Sequence, residues 1–248
     1  MNRIQQLLAR AGAPEPAPPW SLTSALIAVV VTVAALILGS GFALVWLGER
    51  DFTPLAGLAL GGALVIVFIR QTRQRDWDAL RLVESTPPLL FVVFFSMGAA
   101  ILLDLLGLAV TREFLPKPEL LGLVPATLGI QQWLVAIIFM VIVQPIVEGL
   151  VFRGITLPAL RTVLGAWGGL IGTAALAAVF HLVMYPPNYN TASAITPIWY
   201  GLFVPFGEAV YFSLVRGYTN STRASIAAQV AFGLFAVLKL VAIAGGQA

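Results

Sequence analysis

Between Leu22 and Leu47 the chain runs for 26 residues without one charged side chain. As a helix this stretch is about 39 Å long, more than the roughly 30 Å hydrocarbon core of a bilayer. It is too long for the apolar part of a cleaved signal peptide, and no small-residue cleavage site follows it. It reads as a membrane span. Six further apolar stretches of similar character follow, at about Phe52–Ile69, Leu89–Val110, Trp133–Phe152, Leu164–Met184, Ala194–Val215 and Ala224–Ala244. Composition agrees: 59% of the 248 residues are apolar and only 10% are Asp, Glu, Lys or Arg. Soluble domains carry about 25% charged residues, so this chain cannot clothe a water-facing surface, and a water-soluble enzyme is excluded. The expected fold is all-α, a polytopic transmembrane bundle of about seven spans.

Three regions follow from this pattern: an interfacial N-terminal segment over 1–20, N-terminal transmembrane helices over 21–125, and a transmembrane core over 126–248. In the first, Ile4, Leu7, Leu8 and Ala11 share one helical face beside Arg3 and Arg10, the signature of a helix lying in the interface. The prolines between Ala13 and Pro19 then end it. Gly and Ala are frequent in the spans, which favours close helix contacts in lipid. With the N-terminus inside, ten Lys and Arg fall on the inner side and four on the outer side, which places the N-terminus in the cytoplasm of a plasma-membrane protein. An extra or re-entrant segment around Leu120–Ile130 would change the parity of everything after it.

The absence of cysteine excludes disulfides, thiolate zinc sites and iron–sulfur clusters. The single histidine falls short of the usual three protein ligands for zinc, so neither metal nor cofactor is expected. The scattered basic residues do not form a nucleic-acid footprint. Membrane lipids are the expected contacts.

An ionisable group inside a span costs about 2.5–3.5 kcal/mol to insert, so each is a candidate for function. Asp104, Glu148, His181 and Glu208 qualify. Asp104 lies near the outer end of its span, within reach of the headgroups. Glu208 follows Pro205 and Gly207, where it can serve a kink. Glu148 and His181 are more specific: the polar break at Leu164–Gly169 lies midway between them, so two helices leaving that turn antiparallel put both side chains at one depth. A buried carboxylate beside an imidazole can activate water for attack on a carbonyl, and the same pair can relay protons.

The segment Glu148-Gly149-Leu150-Val151-Phe152-Arg153-Gly154, with His181 on the next span, resembles the CAAX-protease and bacteriocin-processing (CPBP, or ABI) family of intramembrane proteases. That family includes the type II CAAX prenyl endopeptidases. The resemblance extends over roughly residues 130–240. It implies that Glu148 and His181 activate the hydrolytic water, that Arg153 is the motif arginine, and that prenylated or membrane-tethered peptides are the substrates. The sequence departs from the family pattern at three places. Gly149 stands where a second Glu is expected, and Ala177 where a Phe is expected, although Phe180 directly precedes the histidine. In the last span Gln229 and Gly233 take the places of a His and an Asn or Asp that supply the family's oxyanion hole; Gln229 alone keeps an amide donor. Two readings result: an intramembrane endopeptidase that is weakened or inactive, with Glu148, His181, Arg153 and Gln229 as its site; or a non-catalytic relative acting as a scaffold or accessory subunit of a membrane complex, holding lipids or pigments. Arg153 also reads as a positive-inside anchor, and Glu208 as a replacement for the missing second Glu.

Overall fold

A computed structural model describes residues 3–123, 129–190 and 193–245. It is all-α. Seven helices follow one another: α1 (Arg3–Ala11), α2 (Leu22–Leu47), α3 (Thr53–Thr72), α4 (Leu89–Thr111), α5 (Ile130–Met184), α6 (Ile195–Thr219) and α7 (Thr222–Gly245). The last six are long and apolar enough to cross a membrane. At 55 residues, α5 would be about 80 Å long if straight. It is not straight, because Gly165 adopts a φ of 74° that side-chain-bearing residues resist. The chain turns back there, and the turn is tight enough that a methyl group on Gly169 would lie 2.6 Å from the backbone nitrogen of Arg161. Its two limbs, 130–164 and 166–184, therefore make two passes. The chain is thus an integral membrane protein with seven passes among the described residues.

The N-terminal segment is tied to one end of the bundle. Arg161 donates to the Ala11 carbonyl at 2.9 Å, and Glu15 accepts from Arg216 at 3.1 Å, with Arg161 3.7 Å away. Trp20 donates to the Ile155 carbonyl. By the alternation of passes, residues 112–123 and 185–190 and the end of α7 lie at the opposite end.

The largest apolar core joins α2, α3 and both limbs of α5, including Val65, Ile69, Phe139, Met140, Phe152 and Phe180. In it α2 and α3 approach through Gly39, Gly57 and Gly61. A second cluster of Val92, Ala100, Phe212, Ala224, Ala228 and Phe232 joins α4, α6 and α7. Outward faces stay apolar, as lipid requires: Leu90, Phe94 and Val45 are among the most exposed side chains. Of the Leu120–Ile130 stretch, residues 124–128 lie outside the described residues; Pro118–Leu120 forms a single 3₁₀ turn that buries Leu120.

Candidate active site

Glu148 sits between two widened, π-helical stretches of α5, Ile138–Val143 and Gly149–Thr156. In the first, the Gln144 N–H donates to the Phe139 carbonyl five residues back. The next donor in that register is missing because residue 145 is proline. Such single-turn widenings recur at functional sites, since they re-aim side chains without ending the helix.

The turn at Gly165 brings His181 on the returning limb back to Glu148. His181 Nε2 lies 3.1 Å from Glu148 Oε2, and both residues are buried. The equal depth expected from the sequence is thus realised as direct contact. His181 Nδ1 lies 3.4 Å from Oε1 of Glu119, which is buried and comes from the loop between α4 and α5. Gln144 Nε2 donates to Glu119 Oε1 at 3.1 Å and to Glu148 Oε1 at 3.0 Å. The result is a His-Glu-Glu cluster stitched by one amide. Phe180 packs edge-on against Phe152, and Tyr185 packs against the His181 ring.

The same loop delivers Lys117, whose Nζ lies 2.6 and 2.7 Å from the two carboxylate oxygens of Glu208 on α6. Burial works against the Lys117 ammonium, but Glu208 and Glu119 outweigh it and raise its pKa. Burial would likewise raise the Glu119 pKa, yet the hydrogen bond with His181 and the charges of Lys117 and His181 bring it down to about 2. Two clefts meet at this cluster. One, of about 280 Å³, is bordered by Gln144, Glu148, His181, Glu208 and Gln229. The other, of about 510 Å³, runs from Glu119 and His181 to Asp104, Tyr200 and Lys239. Lys117, His181, Glu208 and Phe232 border both. The first has room for about one water molecule.

The other residues expected from the sequence are distributed differently. Arg153 is 1% exposed and is not an anchor at the membrane surface. It donates to the Ala209 carbonyl at 3.3 Å and lies over the Phe152 and Phe212 rings, while its Nε and Nη1 have no partner among the described residues. Gln229 borders the cleft, and its Oε1 is buried without a hydrogen-bond partner among the described residues. Asp104 pairs with Lys239 inside the bundle rather than reaching the headgroups. Lys117 and Lys239, both counted from the sequence as outer-side charges, are internal. Glu208 pairs with Lys117; the carboxylate that meets His181 beside Glu148 is Glu119, which sequence reading missed together with Lys117 and Gln144. Two signals were there to find. Lys117-Pro118-Glu119 puts opposite charges inside an otherwise apolar loop, and Gln144 precedes Glu148 by one helical turn, the spacing of same-face neighbours.

Positions 149 and 233, two of the departures noted in the sequence, are tightly packed glycines. A side chain at position 149 would collide with Ile226 of α7 and stand 3.2 Å from Gln229 Oε1. One at position 233 would collide with the Met140 carbonyl, the acceptor whose π-helical donor is missing at Pro145. Helix α7 therefore packs directly on α5 at both glycines. No group of three or more His, Asp or Glu among the described residues is arranged to hold a metal ion, and both ring nitrogens of His181 already face carboxylates.

Fold and site together define a class: a polytopic helical membrane protein with a buried imidazole–dicarboxylate cluster opening onto internal clefts. Comparison with known families agrees. Residues 130–235 match the family described as type II CAAX prenyl endopeptidase Rce1-like, so a CAAX/Rce1-like (CPBP) protease-family domain covers that part of the chain. No curated protein and no solved structure matches it.

Proposed function

We propose that the protein is an intramembrane endopeptidase that hydrolyses a peptide bond of a membrane-tethered, prenylated or embedded substrate with a glutamate-activated water. The observation that carries this reading is the contact between Glu148 Oε2 and His181 Nε2, at 3.1 Å beside a cleft with room for water. Glu148 is the general base. Its two oxygens each accept one hydrogen bond, from Gln144 and His181, which leaves lone pairs for a water proton. As that proton moves to Glu148, the water oxygen adds to the scissile carbonyl carbon. The resulting oxyanion takes hydrogen bonds from the Gln229 amide and the Lys117 ammonium, the two donors bordering the cleft from α7 and the loop. Collapse breaks the C–N bond, and the proton passes to the leaving amine by way of the Glu148–His181 pair. Arg153, buried behind Glu148, supplies positive charge that offsets the buried carboxylates. One oxyanion donor is typically worth about 10²–10³ in rate, so a site missing the family's third motif is slow.

The charge bias of the connections supports a cytoplasmic N-terminus. That orientation puts residues 112–123, which carry Glu119, on the outer side.

A second reading rests on a separate observation: positions 149 and 233 are glycines packed against Ile226 and the Met140 carbonyl. It makes the protein a non-catalytic scaffold or accessory subunit of a membrane complex. The lipid-facing side of α4, with only 17% of its window buried in the bundle, is the surface such partners or bound lipids and pigments would use.

The test is cleavage of a fluorogenic, lipid-tethered peptide by purified protein in nanodiscs. Hydrolysis that falls by about 10³-fold or more in Glu148→Ala and His181→Ala supports the endopeptidase. No hydrolysis of any tethered peptide, or equal rates in wild type and Glu148→Ala, removes it. Co-purification of a stoichiometric membrane subunit then favours the scaffold.

A further inference from the structure

We propose that the loop between α4 and α5 supplies the second carboxylate of this site: Glu119 holds the His181 ring through Nδ1 and so fixes Nε2 on Glu148. This rests on the endopeptidase reading for its catalytic consequence, though not for the contact itself.

At position 149 a side chain would collide with Ile226 of α7, so a second acid there would require that isoleucine to move. A histidine with a carboxylate on only one ring nitrogen can rotate about χ2 and can exchange tautomers. A partner on the other nitrogen fixes both, and that is the service an orienting carboxylate gives a catalytic imidazole. Glu119 is built to give it. Its Oε1 stands 3.4 Å from Nδ1, and the same oxygen accepts from Gln144, which also donates to Glu148.

The loop that brings Glu119 is held at several independent points. Lys117 is locked to Glu208, the Tyr189 hydroxyl donates to the Pro116 carbonyl at 2.8 Å, and Leu120 and Leu123 are in the core. Pro118 starts the turn that presents Glu119 inward. A loop that brings a buried carboxylate, a partly buried ammonium, a proline and two leucines into a membrane bundle costs more than a plain connection of its length would, and what it delivers is a carboxylate at the imidazole. The second oxygen, Oε2, is buried with no partner among the described residues. Glu119 is thus a positioning residue acting through His181.

The experiment exploits the single histidine of the chain. Protein labelled with ¹⁵N only in His gives one pair of ring-nitrogen signals, which report Nδ1 and Nε2 separately. Glu119→Gln keeps the side-chain shape and an acceptor for Gln144 but removes the charge. The expected result is a clear shift of the Nδ1 signal, a smaller change at Nε2, and a kcat reduced by about 10²-fold with KM within a few-fold of wild type. Glu119→Asp, which restores the charge on a shorter arm, should recover part of both. An Nδ1 signal unmoved by Glu119→Gln overturns the contact whether or not the protein cleaves anything. A shifted Nδ1 signal with wild-type turnover overturns the positioning role. Should Glu119→Gln fail to fold, Glu119→Asp decides by the same two readouts. A wild type that cleaves nothing and is indistinguishable from Glu148→Ala sinks the endopeptidase reading, and the Nδ1 shift still decides whether the loop holds the imidazole.

Discussion

Replacing Gly233 by alanine isolates the packing that closes the third-motif position. An added methyl group would collide with the Met140 carbonyl oxygen and stand 2.8 Å from its carbon. Those are backbone atoms inside the π-helical stretch Ile138–Val143 of α5, so they cannot swing aside as a side chain would. Helix α7 must instead move away from α5. Overpacking of this kind costs about 1–3 kcal/mol, and a contact with backbone belongs in the upper half of that range. Alanine recovers about 1 kcal/mol of helix propensity over glycine. The net loss is about 1–2 kcal/mol, or roughly 3–6 °C in Tm for a chain of this size. Thermal unfolding in nanodiscs, followed by fluorescence, measures it. The control is Gly98→Ala on α4, where an added methyl group meets nothing within 4 Å; it should leave Tm unchanged or raise it. Gly233→Asn, which restores a family-type residue, should be less stable than Gly233→Ala and should gain no activity. If Gly233→Ala is as stable as wild type, or if Gly233→Asn raises cleavage, α7 does not fill this position and the steric account of the missing motif fails.

Other consequences can be checked directly. Because the folded-state pKa of Glu119 is depressed to about 2 from 4.5, its stabilising contribution is complete above about pH 4.5 and is lost as pH falls through 2. The groups facing it are His181, Lys117, Gln144, Glu208, Tyr185 and Tyr189. The Tm difference between wild type and Glu119→Gln should therefore be flat from pH 5 to pH 8 and shrink below pH 4.5; a constant difference down to pH 3 refutes it. Lys239→Met strands Asp104 inside the bundle and should cost about 3–5 kcal/mol, while Lys239→Met with Asp104→Leu should recover most of that loss; additivity of the two substitutions in a Tm cycle would show that the pair does not interact. The chain has no cysteine, so single cysteines can be introduced at Arg75 and Arg112. A membrane-impermeant maleimide added to intact cells should label the second and not the first, and the reverse pattern overturns the proposed orientation.

The passes were legible in the sequence because lipid imposes a simple rule. Backbone groups must be satisfied within each segment, so crossing the core takes long uncharged helices, and Leu22–Leu47 shows this without any tertiary information. The turn near Leu164–Gly169 was legible as well, since Gly165, Gly168 and Gly169 interrupt two long apolar runs. With that turn given, the equal depth of Glu148 and His181 follows from helix geometry. The π-turns around Glu148 were not legible. They depend on how α5 meets α7 and on the position of Pro145, not on local propensity.

Side-chain partners across the bundle were the other part hidden from view. Asp104 looked like a headgroup contact and Lys239 like a surface anchor, because either charge alone is stable only near water. Each becomes tolerable inside the bundle once the other is beside it. Glu119 and Lys117 belong to a connection, and a sequence read along the chain has no means of telling a loop that dips into the bundle from one that stays outside.

The sequence by itself determined that this chain crosses a membrane, which stretches do so, and that Glu148 and His181 lie at one depth, since these follow from hydropathy and the rise of a helix. Only the tertiary structure decided that Glu119 completes the cluster and that α7 closes positions 149 and 233. Those outcomes depend on which faces of non-neighbouring segments meet, and no single segment encodes that meeting on its own.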